Sequence, residues 1–211
     1  RGRIRQERGD LAAAANDLAE CRELCAALFG PDHRQTAVAW NNLAALQQAR
    51  GETGAAQASY AEAVRAYEAA GAARAEISTV RNNMASLMRL NGESEAAAAQ
   101  FALVREDFIA AHGARSVQVA VVTHNLARCE TDLGRYDDAD AHFAEAIGIL
   151  AEAVPAGHPN LAIMNGSRGD ALRRAGRLDA AEPLLDEAYG ILAGQLGADH
   201  PRTRVVAGYL A

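Results

Sequence analysis

Gly9, Gly51, Gly92, Gly134 and Gly176 are separated by 42, 41, 42 and 42 residues, and this period constrains the fold more than any other feature of the chain. A repeat of roughly 20–50 residues marks a stacked array of small units, none of which can bury its apolar face alone. The register extends beyond the glycines. Residues 5, 9, 12 and 16 places after Gly51 are Ala56, Tyr60, Ala63 and Tyr67. After Gly92 they are Ala97, Phe101, Val104 and Phe108, and after Gly134 they are Ala139, Phe143, Ala146 and Leu150. Gly176 is followed by Ala181, Leu185, Ala188 and Leu192, and Gly9 by Ala14, Leu18, Cys21 and Cys25. The i, i+4, i+7, i+11 spacing is one face of an α-helix, and on it small and large side chains mostly alternate.

A second amphipathic segment precedes each glycine. It carries Ala39, Leu43 and Leu46, then Val80, Met84 and Leu87, then Val122, Leu126 and Cys129. The glycine ends this first helix (helix A) at a position suited to positive φ, and helix B returns antiparallel to it. A second punctuation separates the hairpins: Gly30-Pro31-Asp32-His33, Gly157-His158-Pro159 and Gly197-Ala198-Asp199-His200-Pro201. Pro suits the first position of a helix, where its missing N–H has no partner to lose. His33, His158 and His200 are expected to cap helices or to bond a neighbouring backbone. The connectors at Gly71 and Gly113 keep the glycine without His-Pro. About a quarter of the chain is Ala, the best helix former, so an all-α fold of about ten helices is predicted.

Asn41-Asn42-Leu43-Ala44, the turning Gly51, the Ala/aromatic pattern of helix B and the Leu-Gly-x-Asp-His-Pro connector resemble the long tetratricopeptide repeats (TPR) of kinesin light chains, arrays also found in many bacterial proteins. The resemblance covers residues 9–211. It implies a right-handed α-solenoid of helix hairpins. A partial repeat would occupy 1–30, full repeats 31–72, 73–113, 114–157 and 158–199, and a further helix A would begin at 200–211. An array that starts and stops in mid-repeat is expected to be a segment of a larger regulatory or signalling protein.

Composition narrows the function. All 21 basic residues are Arg, which removes P-loop, Schiff-base and Ser–Lys chemistry. The net charge of −6 argues against a nucleic-acid surface. Every apolar stretch is broken by charge before ~18 residues, so no membrane span is expected. Arg1–Asp10 does not read as a signal peptide. Three cysteines without framework spacing fit reduced thiols and a cytoplasmic location. No catalytic motif is present, and Asn165-Gly166-Ser167-Arg168-Gly169 lacks the spacing and the strand of a nucleophile elbow. No enzymatic activity, cofactor or metal is predicted. Cys21 and Cys25 are expected to be buried as small hydrophobes, not zinc ligands with His33. Asp137-Asp138 answers the dipole of its helix.

The face of helix A opposite the apolar stripe is the candidate site. It carries Asn41, Ala45 and Gln48, then Asn82, Ser86 and Arg89, then His124, Arg128 and Thr131, then Gly166, Asp170 and Arg173, with Asn42, Asn83, Asn125 and Ser167 beside it. The resemblance implies that helix A lines a concave groove and that its Asn side chains hold a bound peptide. Carboxamides can both donate to and accept from a peptide backbone. Arg89, Arg128 and Arg173 suit an acidic peptide or a terminal carboxylate. The Asn pairs are also placed to bond neighbouring helices, and the Arg to be solvated. Arg168 stands in the slot of Leu43, Met84 and Leu126, flanked by Gly166 and Gly169, so the fourth helix A is expected to be weak, or the groove to end there. The leading expectation is a protein-interaction module. The alternative is an assembly domain whose ends stack on other repeats, by self-association or otherwise.

Overall fold

The computed structural model describes residues 11–210, with side chains from Ala14 onward. Gly9 and the rest of residues 1–10 lie outside the described residues. Ten helices are present among the described residues and no strand. They are α1 (Leu11–Phe29), α2 (Arg34–Ala49), α3 (Thr53–Ala69), α4 (Arg74–Leu90), α5 (Ser94–His112), α6 (Val117–Asp132), α7 (Tyr136–Ala153), α8 (Pro159–Arg174), α9 (Leu178–Leu196) and α10 (Pro201–Leu210). They form consecutive A–B hairpins, the TPR solenoid arrangement, grouped in two compact units, Arg1–Asn91 and Gly92–Ala211. The division falls between α4 and α5, within the repeat that the sequence bounds at 73–113.

Both punctuations have the expected geometry. Leu133 closes α6 and Gly134 follows at φ 74°, while the Arg135 N–H reaches back 2.8 Å to the Glu130 carbonyl. An L side chain is disfavoured at such a φ, which is why glycine recurs there. At the connectors, Nδ1 of His33, His158 and His200 accepts a hydrogen bond from the backbone N–H two residues on, at 3.1, 3.2 and 3.2 Å. Each imidazole satisfies a helix-terminal N–H that the helix itself cannot. Ser116 does the same for Val119. Asp137 and Asp138 lie in the first turn of α7, where the dipole favours them.

The first unit holds α1–α4. Ala56, Tyr60, Ala63 and Tyr67 of α3 pack with Ala37, Ala44, Val80 and Leu87 of α2 and α4. Burial pushes the Tyr60 phenol up to about 12, and its hydroxyl donates to Gln48 Oε1 at 3.0 Å. Ala14 and Leu18 of α1 pack on Leu43 and Leu46. Cys21 and Cys25 depart from expectation: Cys21 is exposed and Cys25 half-buried. The matching residue Ala63 lies in α3, which packs against helix A on two sides, α2 and α4, whereas the described contacts of α1 are with α2. Helical spacing places a residue on a face without showing how much of that face is covered.

The second unit holds α5–α10. Phe101, Phe108 and Phe143 are buried. Ala162, Leu172, Ala181, Leu185, Ala188, Leu192 and Val206 form one apolar cluster across α8, α9 and α10. Gly169 and Gly166 belong to this packing. A Cβ on Gly169 would stand 2.7 Å from Leu185 Cδ2, and one on Gly166 would stand 2.9 Å from Val206 Cγ2. The glycines that looked like weak points for α8 are positions where neighbouring helices approach closely. Arg168, in the Leu43/Met84/Leu126 slot, bonds Asp140 of α7 through Nε at 2.6 Å. Met84 and Leu126 are themselves half-exposed, so the slot admits a guanidinium whose charge is paired.

Polar bonds tie the same hairpins. Arg105 of α5 reaches Thr123 of α6 at 3.0 Å and Glu145 of α7 at 2.6 Å. His142 Nδ1 lies 2.8 Å from the buried carboxylate of Glu130. Arg135 and Arg177, each directly after a hairpin glycine, pair with Glu95 and Asp137, each three residues after the preceding one. These last bridges are exposed and contribute ~0–1 kcal/mol each.

Two measurements test this packing. Gly169→Ala should lower the melting temperature, because overpacking costs ~1–3 kcal/mol and outweighs the ~1 kcal/mol gain in helix propensity. Gly148→Ala, with open space around its Cβ, should raise it. The hydrogen bond to Glu130 holds the His142 imidazolium above its ordinary value of 6.5. A raised histidine contributes stability that is complete below the unfolded value and is lost as pH rises through the folded one. The fall in melting temperature from about pH 6 to about pH 9 should therefore shrink in His142→Gln.

Candidate peptide-binding surface

In the first unit the helix A amides are joined to one another. Asn83 of α4 donates through Nδ2 to Asn41 Oδ1 of α2 at 3.0 Å, and Asn82 Nδ2 lies 3.4 Å from Asn83 Oδ1. The residue pair Asn41–Asn83 is one repeat apart, so this bond stitches successive helices A. Asn41, Asn42, Asn82 and Asn83 are all half-buried, as are Gln48 and Arg89. A carboxamide has two N–H donors and a carbonyl with two lone pairs, so one such bond leaves further capacity on each amide. Gln48 is engaged by the Tyr60 hydroxyl.

In the second unit the predicted set is divided. His124 is buried, with its ring 5.5 Å from that of Phe143, yet it also lines a cavity. Arg128 and Asn125 are half-buried, and Arg128 lines a second cavity. Thr131 is buried and its hydroxyl donates to the Ala127 carbonyl at 2.9 Å. On α8 the expected set does not face outward as a group. Gly166 is turned toward Val206 and Ala188, and Asp170 is buried, with Arg173 at 2.9 Å and Arg174 at 2.8 Å. Arg173 is exposed and tied to Asp170. Asn41 and Gly166 lie toward an adjoining helix A, the first bonded to Asn83 and the second turned toward Val206, while Val38, Val121 and Val205 on the same helices as Asn41, His124 and Gly208 are more open.

That open surface carries residues absent from the sequence-based set. Val38, Thr79, Val121, Ile163 and Val205 repeat at 41 and 42 residues, in the register of the glycines. Val38, Val121 and Val205 are 37, 41 and 54 % exposed. In the second unit, Val117, Val121 and His124 of α6, Asn160, Ile163 and Met164 of α8, and Arg202 of α10 surround a cavity of about 260 Å³. An adjoining cavity of about 180 Å³ shares Ile163 and Arg202 and is completed by Arg128, Ser167, Val205, Val206 and Tyr209. The signal for the missed stripe is its 42-residue recurrence. It was hidden because an aliphatic residue on a repeat helix reads as core. Among the described residues no group of three or more His, Cys, Asp or Glu is placed to hold a metal, and no helix is long and apolar enough to cross a membrane.

A family model for the tetratricopeptide repeat matches residues 1–69 and 76–152. The chain belongs to the tetratricopeptide repeat family, a class of repeat scaffolds that generally mediate protein–protein contacts. Among solved structures it is similar to BtubC (BKLC) from P. vanneervenii, at 24% identity and a TM-score of 0.73 over 95% of this chain and 80% of that one. It is also similar to a Podospora anserina protein with nearly identical TPR-like repeats, described as a kinesin light chain, at 18% identity and a TM-score of 0.70 over 92% of each chain. YrrB, a TPR protein with an unusual peptide-binding site, aligns over 98% of this chain and 88% of that one at 15% identity and a TM-score of 0.51. At these identities the likeness shows the fold, and the kinesin light chain resemblance drawn from the sequence holds at that level. No curated protein sequence matches the chain.

The Asn bond between repeats makes a measurable claim. A double-mutant cycle on Asn41→Ala and Asn83→Ala should give a coupling of about 1 kcal/mol in thermal or urea unfolding. Strictly additive effects would mean that the two amides are not joined in solution.

Proposed function

We propose that this chain is a protein-interaction module that holds a short linear segment of a partner along the open face of its helices A. The observation that carries the reading is the pair of adjoining cavities in the second unit, lined by helices A of three successive repeats. A site built from three rigid helices presents its side chains at fixed spacing, which favours an extended segment over a compact one. Within each unit the amides and arginines of helices A, Asn41, Asn42, Gln48, Asn82, Asn83 and Arg89 in the first and His124, Asn125, Arg128 and Arg173 in the second, would add hydrogen bonds to a segment's backbone and acidic groups. Arg173 and Gln48 bring less to it, since each is already bonded within the protein. Such a module fits a recognition part of a larger multidomain protein.

A second reading, an assembly domain, draws support from Leu24, Leu28 and Phe29, which are exposed on α1. Selection of a random 12-residue peptide display library on the immobilised chain separates the two. The interaction reading expects enriched peptides that bind at about micromolar Kd, roughly −8 kcal/mol, and that protect helix A amides from hydrogen exchange. No enrichment, together with a mass that rises with concentration, would favour assembly instead.

A further inference from the structure

α1 differs from the other helices B at two positions of its contact face. In α3, α5, α7 and α9 these positions hold Ala63 and Tyr67, Val104 and Phe108, Ala146 and Leu150, and Ala188 and Leu192, all of them buried. In α1 they hold Cys21 and Cys25, of which the first is exposed and the second half-buried, beside the exposed Leu24. A thiol acting as a small hydrophobe gains from burial, and an exposed one is open to oxidation. Packing therefore does not account for two thiols together on the one open face.

The pair stands one helical turn apart, where side chains share a face and Cβ atoms lie ~5–6 Å from each other. The two thiols are hydrogen-bonded to one another. Burial and the neighbouring Cys21 hold the Cys25 proton more tightly than its ordinary value of 9.0. A disulfide needs Cβ atoms ~3.8 Å apart, closer than an undistorted turn brings them. A metal ion asks for less. With metal–sulfur bonds of ~2.3 Å, a linear S–M–S unit spans ~4.6 Å between its sulfurs, within reach of side chains one turn apart. Zinc would need four ligands, and among the described residues no third His, Cys, Asp or Glu joins the pair. Two thiolates alone are the donor set of a soft monovalent cation, for which sulfur is the preferred ligand.

We propose that Cys21 and Cys25 form a two-coordinate site for a soft monovalent cation of the copper(I) class, held as a bis-thiolate on the face of α1. Each thiol gives up its proton and each sulfur makes one bond to the ion. Binding one M⁺ thus releases two H⁺ and leaves a complex of charge −1, with neither metal nor sulfur changing oxidation state. α1 contributes no residue to the candidate peptide surface, so the site stands or falls apart from the groove reading.

The test titrates the whole, fully reduced chain under nitrogen with copper(I) supplied as its bicinchoninate complex, whose colour is lost as the protein takes the ion. The protein is wild type, Cys21→Ser, Cys25→Ser or Cys129→Ala, with folding followed by circular dichroism and stoichiometry by native mass spectrometry. Cys21 and Cys25 are both at least partly exposed, so the serine variants should melt close to wild type. Wild type should take one ion per monomer, and Cys129→Ala, which removes the buried third thiol, should do the same. Each serine variant should bind at least about a hundredfold more weakly, since loss of even an outer-shell partner costs ~10–100-fold. Wild-type affinity should rise by up to about a hundredfold per pH unit from about pH 6 to about pH 8, because two protons leave with each ion bound. A serine variant that keeps wild-type affinity, or one ion shared between two chains, would overturn the site. Zinc retained stoichiometrically through desalting would overturn its two-coordinate character.

Discussion

Helix B can serve two neighbours because its contact face alternates small and large side chains. In α7 the sequence Ala139, Phe143, Ala146, Leu150 lets helices approach at the alanines and fills the flanking space with the ring and the leucine. The same condition governs α8 and α9, where Gly169 leaves room for Leu185. One added methyl at such a point has nowhere to go, since packed interiors hold few voids. Connectors, caps and the bonds between repeats all presuppose that spacing. Arg177 reaches Asp137, and Arg105 reaches Glu145, only because the helices carrying them are held at a fixed distance and rotation.

This packing also sets what remains outside. A helix in a stacked array is covered on one side by its hairpin partner and on another by the next repeat. The remaining strip repeats with the period of the array, so any residue type placed there once is offered several times. The corresponding positions are Val38 and Thr79 in the first unit and Val121, Ile163 and Val205 in the second, with amides one turn away at Asn42, Asn83 and Asn125. In the second unit it is interrupted by cations and by no carboxylate, which gives an acidic protein a local surface of opposite character. Repeats of this family generally mediate protein–protein contacts, and the fold alone leaves the choice of partner to the side chains.

The repeat was legible because hairpin geometry forces a glycine and an alternation of sizes at fixed places, and both survive as residue types. Tyr60, Phe101 and Phe143 could be placed in the core for that reason, and His33, His158 and His200 at helix starts. The candidate surface was legible only in part. On α8, Gly166 and Asp170 turn inward, and on α1 Cys21 lies outside the core. A helical wheel gives angles around one axis. It does not say which arc a neighbouring helix covers, and a difference of one residue, about 100°, separates a groove position from an interhelix one.

The sequence alone therefore determined the hairpin, its period, its capping residues and the class of scaffold, because these follow from local backbone preferences and from patterning repeated along one chain. Only the tertiary structure decided that Asn83 bonds Asn41, that Asp140 accepts Arg168, that Gly169 is a contact and not a weakness, and that Arg202 shares a cavity with Val121. Each of these joins residues from different helices. Their meeting depends on the distance and rotation at which helices pack, which the side chains of all the partners set together.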